Sequence, residues 1–214
     1  VLQRIELCGP ILKKLRKLLG RYFFSVFLSK YLINPVRISK SYLNLMEKEF
    51  LLIKKYFKKN DKILSIGSGV GGLEILMSKK LDSHITFIEK NYVSKKIKYG
   101  WDKMNHEAYN NLNLLKKFLL DNGIKKDKYA IFDFDQDKLP DTKFDAIISL
   151  YSLDYHYGFE LYEDYLKKVM KPETILIFDT IRPDYFKEIY EKVDIIKQDL
   201  HTVHKSKRVI CRNL

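Results

Sequence analysis

A short strand that runs into a glycine-rich turn and then a helix constrains this chain more than any other feature. Residues 62–73 read KILSIGSGVGGL and contain the pattern G-x-G-x-x-G. Glycines allow a sharp turn, a close approach of the backbone to a ligand, and tight packing of the next helix on the strand. The segment therefore predicts a strand over Lys62–Ile66, a ligand-binding turn, and a helix over Glu74–Lys80.

Acidic residues follow the next two predicted strands, His84–Glu89 and Tyr129–Phe134. Glu89 comes about 20 residues after the glycines, where a carboxylate can accept hydrogen bonds from two ribose hydroxyls. Residues 132–140 read FDFDQDKLP, and an aspartate beside an aromatic ring suits an adenine base. The carboxylate accepts from the exocyclic amine and the ring packs against the face of the base. These residues predict an adenosine site at the rim of a sheet.

Continuous apolar runs alternate with helical stretches after residue 61, as in a parallel sheet that is covered on both faces. Two further strands are predicted over Phe144–Leu150 and Thr174–Asp179. The last two, Val193–Leu200 and Lys207–Arg212, are separated by a short polar turn and should therefore pair antiparallel. The predicted fold class is α/β, with a mostly parallel sheet.

The first 60 residues have a different, helical pattern. Apolar residues lie on one face of Ile11–Phe27 and basic residues on the other, which is the spacing of an amphipathic helix. Such a helix either packs on its own domain or a second subunit, or lies on an anionic membrane surface. Asn34-Pro35 interrupts the pattern, and a second helix is predicted over Ser41–Lys59. Residues 1–60 are interpreted as a helical cap and residues 61–214 as the catalytic domain.

Composition limits the remaining possibilities. The chain has 214 residues, of which 46% are hydrophobic, so it can bury a core and has no room for a second catalytic domain. Cys8 and Cys211 are far apart, which indicates neither a disulfide framework nor a zinc site, and favours a reducing cytoplasmic location. The net charge of +13 would suit nucleic acid, but the lysines are dispersed in pairs along predicted helices.

The succession ILSIGSGVGG, ITFIEKN, FDFDQDKLP and FDAIISLYSLDYHY resembles the class I S-adenosylmethionine-dependent methyltransferases from about Asp61 to the C-terminus. The resemblance implies a Rossmann-like sheet of seven strands with an antiparallel last strand, and S-adenosylmethionine as cofactor. Many members carry an acid where this chain has Ser65, which leaves open how the methionine amino group is held. The cofactor-binding residues implied are Gly67, Ser68, Gly69, Glu89, Lys90, Phe134, Asp135, Ser149 and Leu150, the last two through backbone atoms.

In this fold, the residues after the fourth strand face the bound methyl group. His156 is the candidate base or acceptor-orienting group, with Asp154 or Tyr151 assisting; the alternative is that His156 only caps a helix near Phe159. Residues 99–111 form a long connection that either lines the acceptor pocket or is a plain helical insertion. The candidate acceptor-binding residues are Trp101, His106, Tyr109 and Tyr155. No metal ligand is assigned, and His201 and His204 are interpreted as structural or solvent-facing.

The predicted acceptor is a small molecule, anionic or glycosyl. Residues 151–157 are similar to a short motif of methyltransferases associated with bacterial surface-glycan genes, which connects the chain with polysaccharide biosynthesis. A nucleic-acid methyltransferase, an NAD-dependent oxidoreductase, and a membrane-surface or scaffold protein without chemistry are the alternatives. The oxidoreductase is disfavoured because the Tyr-x-x-x-Lys pair of Tyr92 and Lys96 directly follows the second strand and no separate substrate domain is present.

Overall fold

A computed structural model describes residues 34–91, 100–102, 107–154, 158–198 and 206–213, together with residues 11, 14, 15, 17, 18 and 31. The chain forms two compact units, Val1–Leu52 and Ile53–Leu214. Residues 11, 14, 15, 17 and 18 are helical, within the segment predicted as an amphipathic helix. Among the residues that the model covers, no helix is both long and apolar enough to cross a membrane.

Helix α1 (Pro35–Ile53) begins earlier and ends earlier than predicted. Asn34 caps it, since its side-chain Oδ1 accepts from the backbone N of Arg37 at 3.1 Å. Proline is favoured at the first helical position because its missing N–H has no partner there. Asn34 lies outside the helix, as an interruption at Asn34-Pro35 requires, and the second helix follows it; the bounds predicted for that helix, Ser41–Lys59, were wrong because the pair starts the helix. A 3₁₀ turn, Lys54–Tyr56, follows its end.

The second unit is built around a sheet whose strand bounds lie close to the predicted ones. The strands are β1 (Lys62–Ile66), β2 (His84–Glu89), β5 (Tyr129–Asp133), β6 (Phe144–Ser149), β7 (Met170–Thr180), β8 (Lys192–Gln198) and β9 (Lys207–Arg212). They lie in the order β5-β2-β1-β6-β7-β9-β8. The first five in this order are parallel, and β9 pairs antiparallel with both β7 and β8. The predicted seven-stranded α/β fold is confirmed.

The helices of this unit are α2 (Gly72–Leu81), α3 (Leu112–Asp121), α4 (Glu163–Val169) and α5 (Pro183–Ile189). A 3₁₀ turn at Phe159–Leu161 precedes α4, so the α-helix expected near Phe159 starts only at Glu163. The core of the sheet is apolar on both faces: β1, β2 and β6 are buried along nearly their whole length. Such strands are typical of a parallel sheet between helices.

The connection between β2 and α3 contains a small antiparallel ribbon, β3 (Gly100–Asp102) and β4 (Glu107–Tyr109). A plain helical insertion is therefore wrong for these residues. Aromatic residues favour strands and glycine disfavours a helix interior, which is consistent with a ribbon formed by GWD and EAY. The other predicted alternative, a pocket-lining segment, stays a prediction.

Candidate active site

The order of the strands reverses between β1 and β6, so consecutive strands lead away from this point in both directions. In open α/β sheets, ligands bind at the carboxyl ends of the strands on either side of such a reversal. The glycine-rich turn follows β1, Glu89 ends β2, Asp135 follows β5, and Tyr151 follows β6. The topology thus brings the glycine-rich turn, Glu89, Asp135 and Tyr151 to one edge of the sheet.

The glycine turn depends on backbone conformations that glycine adopts easily. Gly67, Gly69 and Gly71 have φ angles of 70°, 68° and 75°, in the left-handed region. Gly67 is also packed closely: a Cβ atom there would lie 1.9 Å from Oγ of Ser152, in the turn after β6. The turn after β1 and the turn after β6 therefore touch at Gly67, with no space for a side chain.

Glu89 is buried at the end of β2 and closes the glycine turn. Its Oε1 accepts from Ser68 Oγ at 2.6 Å and from the backbone N of Gly69 at 3.1 Å. Asn110 also hydrogen-bonds to Glu89, and its Nδ2 donates to the Gly69 carbonyl at 2.5 Å. Burial raises the pKa of Glu89 to about 7, although these donors favour the ionised form.

Asn110 was not among the predicted site residues. It lies in the long connection that the sequence singled out, but no motif distinguishes it from Asn105 or Asn111. Its backbone N donates to the Lys90 carbonyl at 2.8 Å, which fixes it beside the end of β2. Tertiary pairing, rather than local sequence, places this side chain in the site.

A second buried carboxylate, Glu74, was also missed. It lies in the first turn of α2 and accepts a hydrogen bond from Ser65 Oγ at 2.7 Å. Burial raises its pKa to about 7, and its negative charge contributes to the raised pKa of Glu89. Its neighbours Leu73 and Ile75 are buried as well. At this start of α2, the sequence pattern therefore does not show whether the glutamate faces the sheet or the solvent.

The residues predicted to contact adenine lie together at the ends of β2 and β5. The backbone N of Phe134 donates to the Glu89 carbonyl at 2.8 Å, which aligns the two strand ends. Lys90 Nζ lies 3.4 Å from Asp135 Oδ1 and 5.6 Å from the centre of the Phe134 ring. An aromatic ring next to a carboxylate and an ammonium is thus present on this side of the site.

The end of β6 holds Tyr151 in a strained backbone conformation. Its φ angle is 61°, which is uncommon for a bulky residue and occurs often at functional sites. Its backbone N donates to Asp179 Oδ2 at 3.0 Å, and Asp179 forms a buried ion pair with Arg208. Lys197 Nζ lies 3.2 Å from the Tyr151 hydroxyl. Two cationic side chains therefore surround one phenol, since the Arg208 guanidinium lies 5.3 Å from its ring.

Asp154 also has a positive φ angle, 56°, but its carboxylate is bound within the protein. Oδ1 accepts from Arg182 Nε at 2.9 Å and Nη2 at 2.6 Å, and Oδ2 accepts from the Thr180 hydroxyl. Arg182 Nη2 also donates to Glu160 Oε1 at 2.6 Å. The pKa of Arg182 is raised mainly by the hydrogen bond to Asp154. These contacts favour Asp154 as a residue that positions this turn.

The predicted backbone contacts of Ser149 and Leu150 lie next to these turns. Ser149 Oγ donates to the Ile66 carbonyl at 2.8 Å and accepts from the backbone N of Leu153 at 2.9 Å. His106, Tyr155 and His156 lie outside the described residues, and only the backbone is described for Trp101 and Tyr109. Within the described ranges, no group of three or more His, Cys, Asp or Glu is arranged to hold a metal ion.

Comparisons with known proteins give a family match and several structures of similar fold. A family model described as "Methyltransferase domain" matches residues 40–205. A search of curated protein sequences gave no match. The magnesium protoporphyrin IX methyltransferase of Synechocystis PCC 6803, solved with bound S-adenosylmethionine, is 14% identical. That alignment covers 96% of this chain and 99% of that chain, with a TM-score of 0.51.

Two further solved structures are similar at lower scores. TrmN from Thermus thermophilus is 15% identical, with 77% of this chain and 47% of that chain covered and a TM-score of 0.48. Precorrin-6y C5,15-methyltransferase from Geobacter metallireducens GS-15 is 14% identical, with 77% and 86% covered and a TM-score of 0.48. The chain thus spans less than half of the length of TrmN.

At 14% identity, the Synechocystis structure supports the fold alone. The family model, by contrast, covers more than half of the sequence and includes β1 to β8. Because this match extends across the sheet and the carboxyl edge just described, the chain belongs to the methyltransferase domain family, the class I S-adenosylmethionine-dependent enzymes.

Proposed function

We propose that the protein transfers the methyl group of S-adenosylmethionine to a small anionic or glycosyl acceptor, related to surface polysaccharides, at the end of β6. The observation that carries the proposal is the position of the Lys197 ammonium, whose Nζ lies 3.2 Å from the Tyr151 hydroxyl. Positive charge next to this hydroxyl would stabilise an acceptor with a negative group and negative charge that develops on oxygen. A cytoplasmic location, expected from the cysteines, is part of the same proposal.

The groups present at the edge of β1, β2 and β5 fit an adenosine cofactor. Glu89 provides a buried carboxylate for ribose hydroxyls, and the Ser68 and Gly69 donors hold that carboxylate in place. Phe134 provides a ring and Asp135 an acceptor for the base. When bound, S-adenosylmethionine supplies an electrophilic methyl group on a sulfonium.

Methyl transfer of this kind is an in-line displacement, so the enzyme has to align the acceptor oxygen and exclude water. Asp154 is engaged by Arg182 and Thr180, and we therefore assign it the task of fixing the turn. Tyr151 orients the acceptor through its hydroxyl. His156 stays the proposed base, which an acceptor hydroxyl would need and a phosphate or carboxylate oxygen would not.

Two measurements test the proposal. First, S-adenosylhomocysteine should raise the melting temperature and NAD should not, since a ligand at ~100 times its Kd adds about 2.7 kcal/mol. Second, methyl transfer from labelled S-adenosylmethionine should be faster to a hexuronic acid or hexose phosphate than to the neutral hexose. Equal rates on charged and neutral sugars would contradict the anionic acceptor. Substitution His156→Ala should lower turnover and leave S-adenosylhomocysteine binding unchanged.

A nucleic-acid acceptor is the alternative, and the net charge of +13 favours it. Lysines and arginines neutralise phosphates and release counterions, which makes binding salt-dependent. Binding to mixed RNA retained at about 150 mM salt would favour this alternative over a small acceptor.

The basic N-terminal segment is proposed to contact an anionic membrane surface or a second subunit. Two of its described apolar residues, Ile11 and Leu18, are 81% and 83% exposed, and Lys14 and Lys17 lie between them in the sequence. Flotation with vesicles containing anionic lipid, with and without residues 11–27, tests the membrane contact. Absence of flotation with the full chain would exclude it.

A further inference from the structure

Glu74 lies in the first turn of α2, where acidic residues are common, but it is buried against the sheet. It is 4% exposed, and Ser65, whose hydroxyl donates to it at 2.7 Å, is 1% exposed. Ser65 lies on β1, two residues before the first glycine of the cofactor turn. A carboxylate is therefore buried directly beside the root of this turn.

Within the described residues, neither Glu74 nor Glu89 forms an ion pair with a lysine or arginine. Their partners are neutral donors: Ser65 and its own backbone N–H for Glu74, and Ser68, Gly69 and Asn110 for Glu89. Burial raises the pKa of both groups to about 7, and the charge of Glu74 further disfavours ionisation of Glu89. Two adjacent buried acids without a cation are costly, and a ligand cation would relieve that cost.

The cofactor of this family has two kinds of group for these carboxylates: the ribose hydroxyls, which are neutral, and the ammonium of its methionine part, which is a cation. Glu89 is linked through Phe134 to the end of β5, where the adenine residues lie. Glu74 is linked instead to β1, on the side of the sheet that leads towards β6. Glu89, on the adenine side, is the carboxylate assigned to the ribose hydroxyls. Glu74 is then the carboxylate left for the ammonium group.

We propose that the Glu74 carboxylate binds the ammonium group of S-adenosylmethionine, and that the Ser65 hydroxyl orients this carboxylate. The inference rests on the proposed assignment of Glu89 to the ribose. It also accounts for Ser65 at the position where many family members carry an acid. In this chain the carboxylate belongs to Glu74 on α2 and accepts a hydrogen bond from Ser65 on β1. A negative charge is thus present at the same place, although it is carried by a residue of the helix and not of the strand.

Isothermal titration with two ligands tests the proposal. S-adenosylhomocysteine contains the amino acid tail, whereas 5′-methylthioadenosine contains the same adenosine without it. Glu74→Gln should weaken binding of S-adenosylhomocysteine by about 10- to 100-fold, because a charged hydrogen bond is lost. Binding of 5′-methylthioadenosine should change by less than about twofold, since its contacts do not include Glu74. Ser65→Ala should show the same selectivity with a smaller loss.

The control variant is Glu173→Gln, which removes an exposed glutamate of β7 and should change neither affinity. An equal loss of both ligands in Glu74→Gln would overturn the inference, because a structural role affects the whole pocket. Unchanged binding of both ligands would overturn it as well. If the wild-type protein binds neither ligand, the cofactor assignment itself fails; if only the selectivity is missing, that assignment stands and only the role of Glu74 is wrong.

Discussion

Buried carboxylates lie on both sides of the carboxyl edge of the sheet, but their partners differ. On the β1–β2 side, Glu74 and Glu89 contact hydroxyl, amide and backbone donors. On the β6–β7 side, Asp154 and Asp179 contact arginines. The first pair has charge that the described protein groups leave uncompensated, whereas the second pair is neutralised within the fold.

This difference in partners indicates different tasks: carboxylates on one side bind a ligand, and those on the other side hold the backbone in position. Asp179 is held by Arg208 and in turn accepts from the backbone N of Tyr151, so this ion pair maintains a strained backbone. Strain of this kind persists only where surrounding contacts enforce it. Carboxylates that are satisfied by arginine are therefore suited to hold the acceptor turn. Carboxylates that are satisfied only by neutral donors are suited to receive a ligand.

The largest expected effect comes from removing a cation on the β6–β7 side. Arg208→Met leaves Asp179 buried without its partner, which should cost about 3–5 kcal/mol in the free energy of unfolding. Urea denaturation measures this loss. The matched control is Arg212→Met, which breaks a partly exposed pair with Asp194 and should cost less than about 1 kcal/mol. Similar losses for both variants would show that the buried pair has no special role.

The next effect concerns Gly67, where the turn after β1 packs against the turn after β6. Gly67→Ala places a Cβ atom 1.9 Å from Ser152 Oγ and 2.3 Å from its Cβ, at a φ angle of 70°. Overpacking and left-handed strain together should cost roughly 3 kcal/mol and abolish binding of S-adenosylhomocysteine. Gly123→Ala is the control, since its φ is 74° with nothing within 4 Å of the new Cβ.

That control isolates the backbone strain, which should be about 1–2 kcal/mol, with binding unchanged. Equal destabilisation by both alanines would show that Ser152 can move away from Gly67. In that case the two turns are less tightly coupled than their packing indicates. Urea denaturation and titration with S-adenosylhomocysteine provide both readouts.

The sheet could be predicted from the sequence because buried parallel strands are continuous apolar runs. The bounds of Lys62–Ile66, His84–Glu89 and Lys207–Arg212 agree with the structure. Strand β7 starts at Met170 rather than Thr174, because Lys171, Pro172 and Glu173 break the apolar run and hide the extension. The start of α1 was missed because Asn34-Pro35 was interpreted as a break and not as a cap.

The residues of the candidate site could be predicted only where they belong to a sequence motif. Ser68, Gly69 and Glu89 follow a known spacing, and the structure brings them together. The ion pair of Asp179 with Arg208 has no such signal, since 29 positions separate the partners and the pairing of β7 with β9 brings them together. Glu74 lacks a signal for a related reason: its burial depends on how α2 packs on β1.

A smaller effect is expected in binding on the β1–β2 side. Glu89→Gln should weaken S-adenosylhomocysteine by about 10- to 100-fold, because neutral amide oxygen is a poorer acceptor for ribose hydroxyls. The free energy of unfolding without ligand should stay the same or increase, since a buried charge without a cation is removed. For Arg208→Met, by contrast, we expect a loss in the free energy of unfolding. Loss of stability in Glu89→Gln would remove the distinction between the two sides.

The smallest effect is a dependence of stability on pH that the β1–β2 carboxylates produce. Burial raises the pKa of Glu74 and Glu89 from 4.5 to about 7, so the folded state favours their protonated forms. Their contribution to stability is fully present below the unfolded value and is lost as pH rises through about 7. From pH 6 to pH 8, the ligand-free protein should lose roughly 1 kcal/mol more than the single variant Glu89→Gln, in which this carboxylate no longer titrates. His84, whose pKa is lowered by burial, titrates with the opposite sign, but it is present in both proteins and cancels in the difference. Parallel stability curves would mean that this carboxylate is already compensated, and the contrast with the arginine-bound side would then disappear.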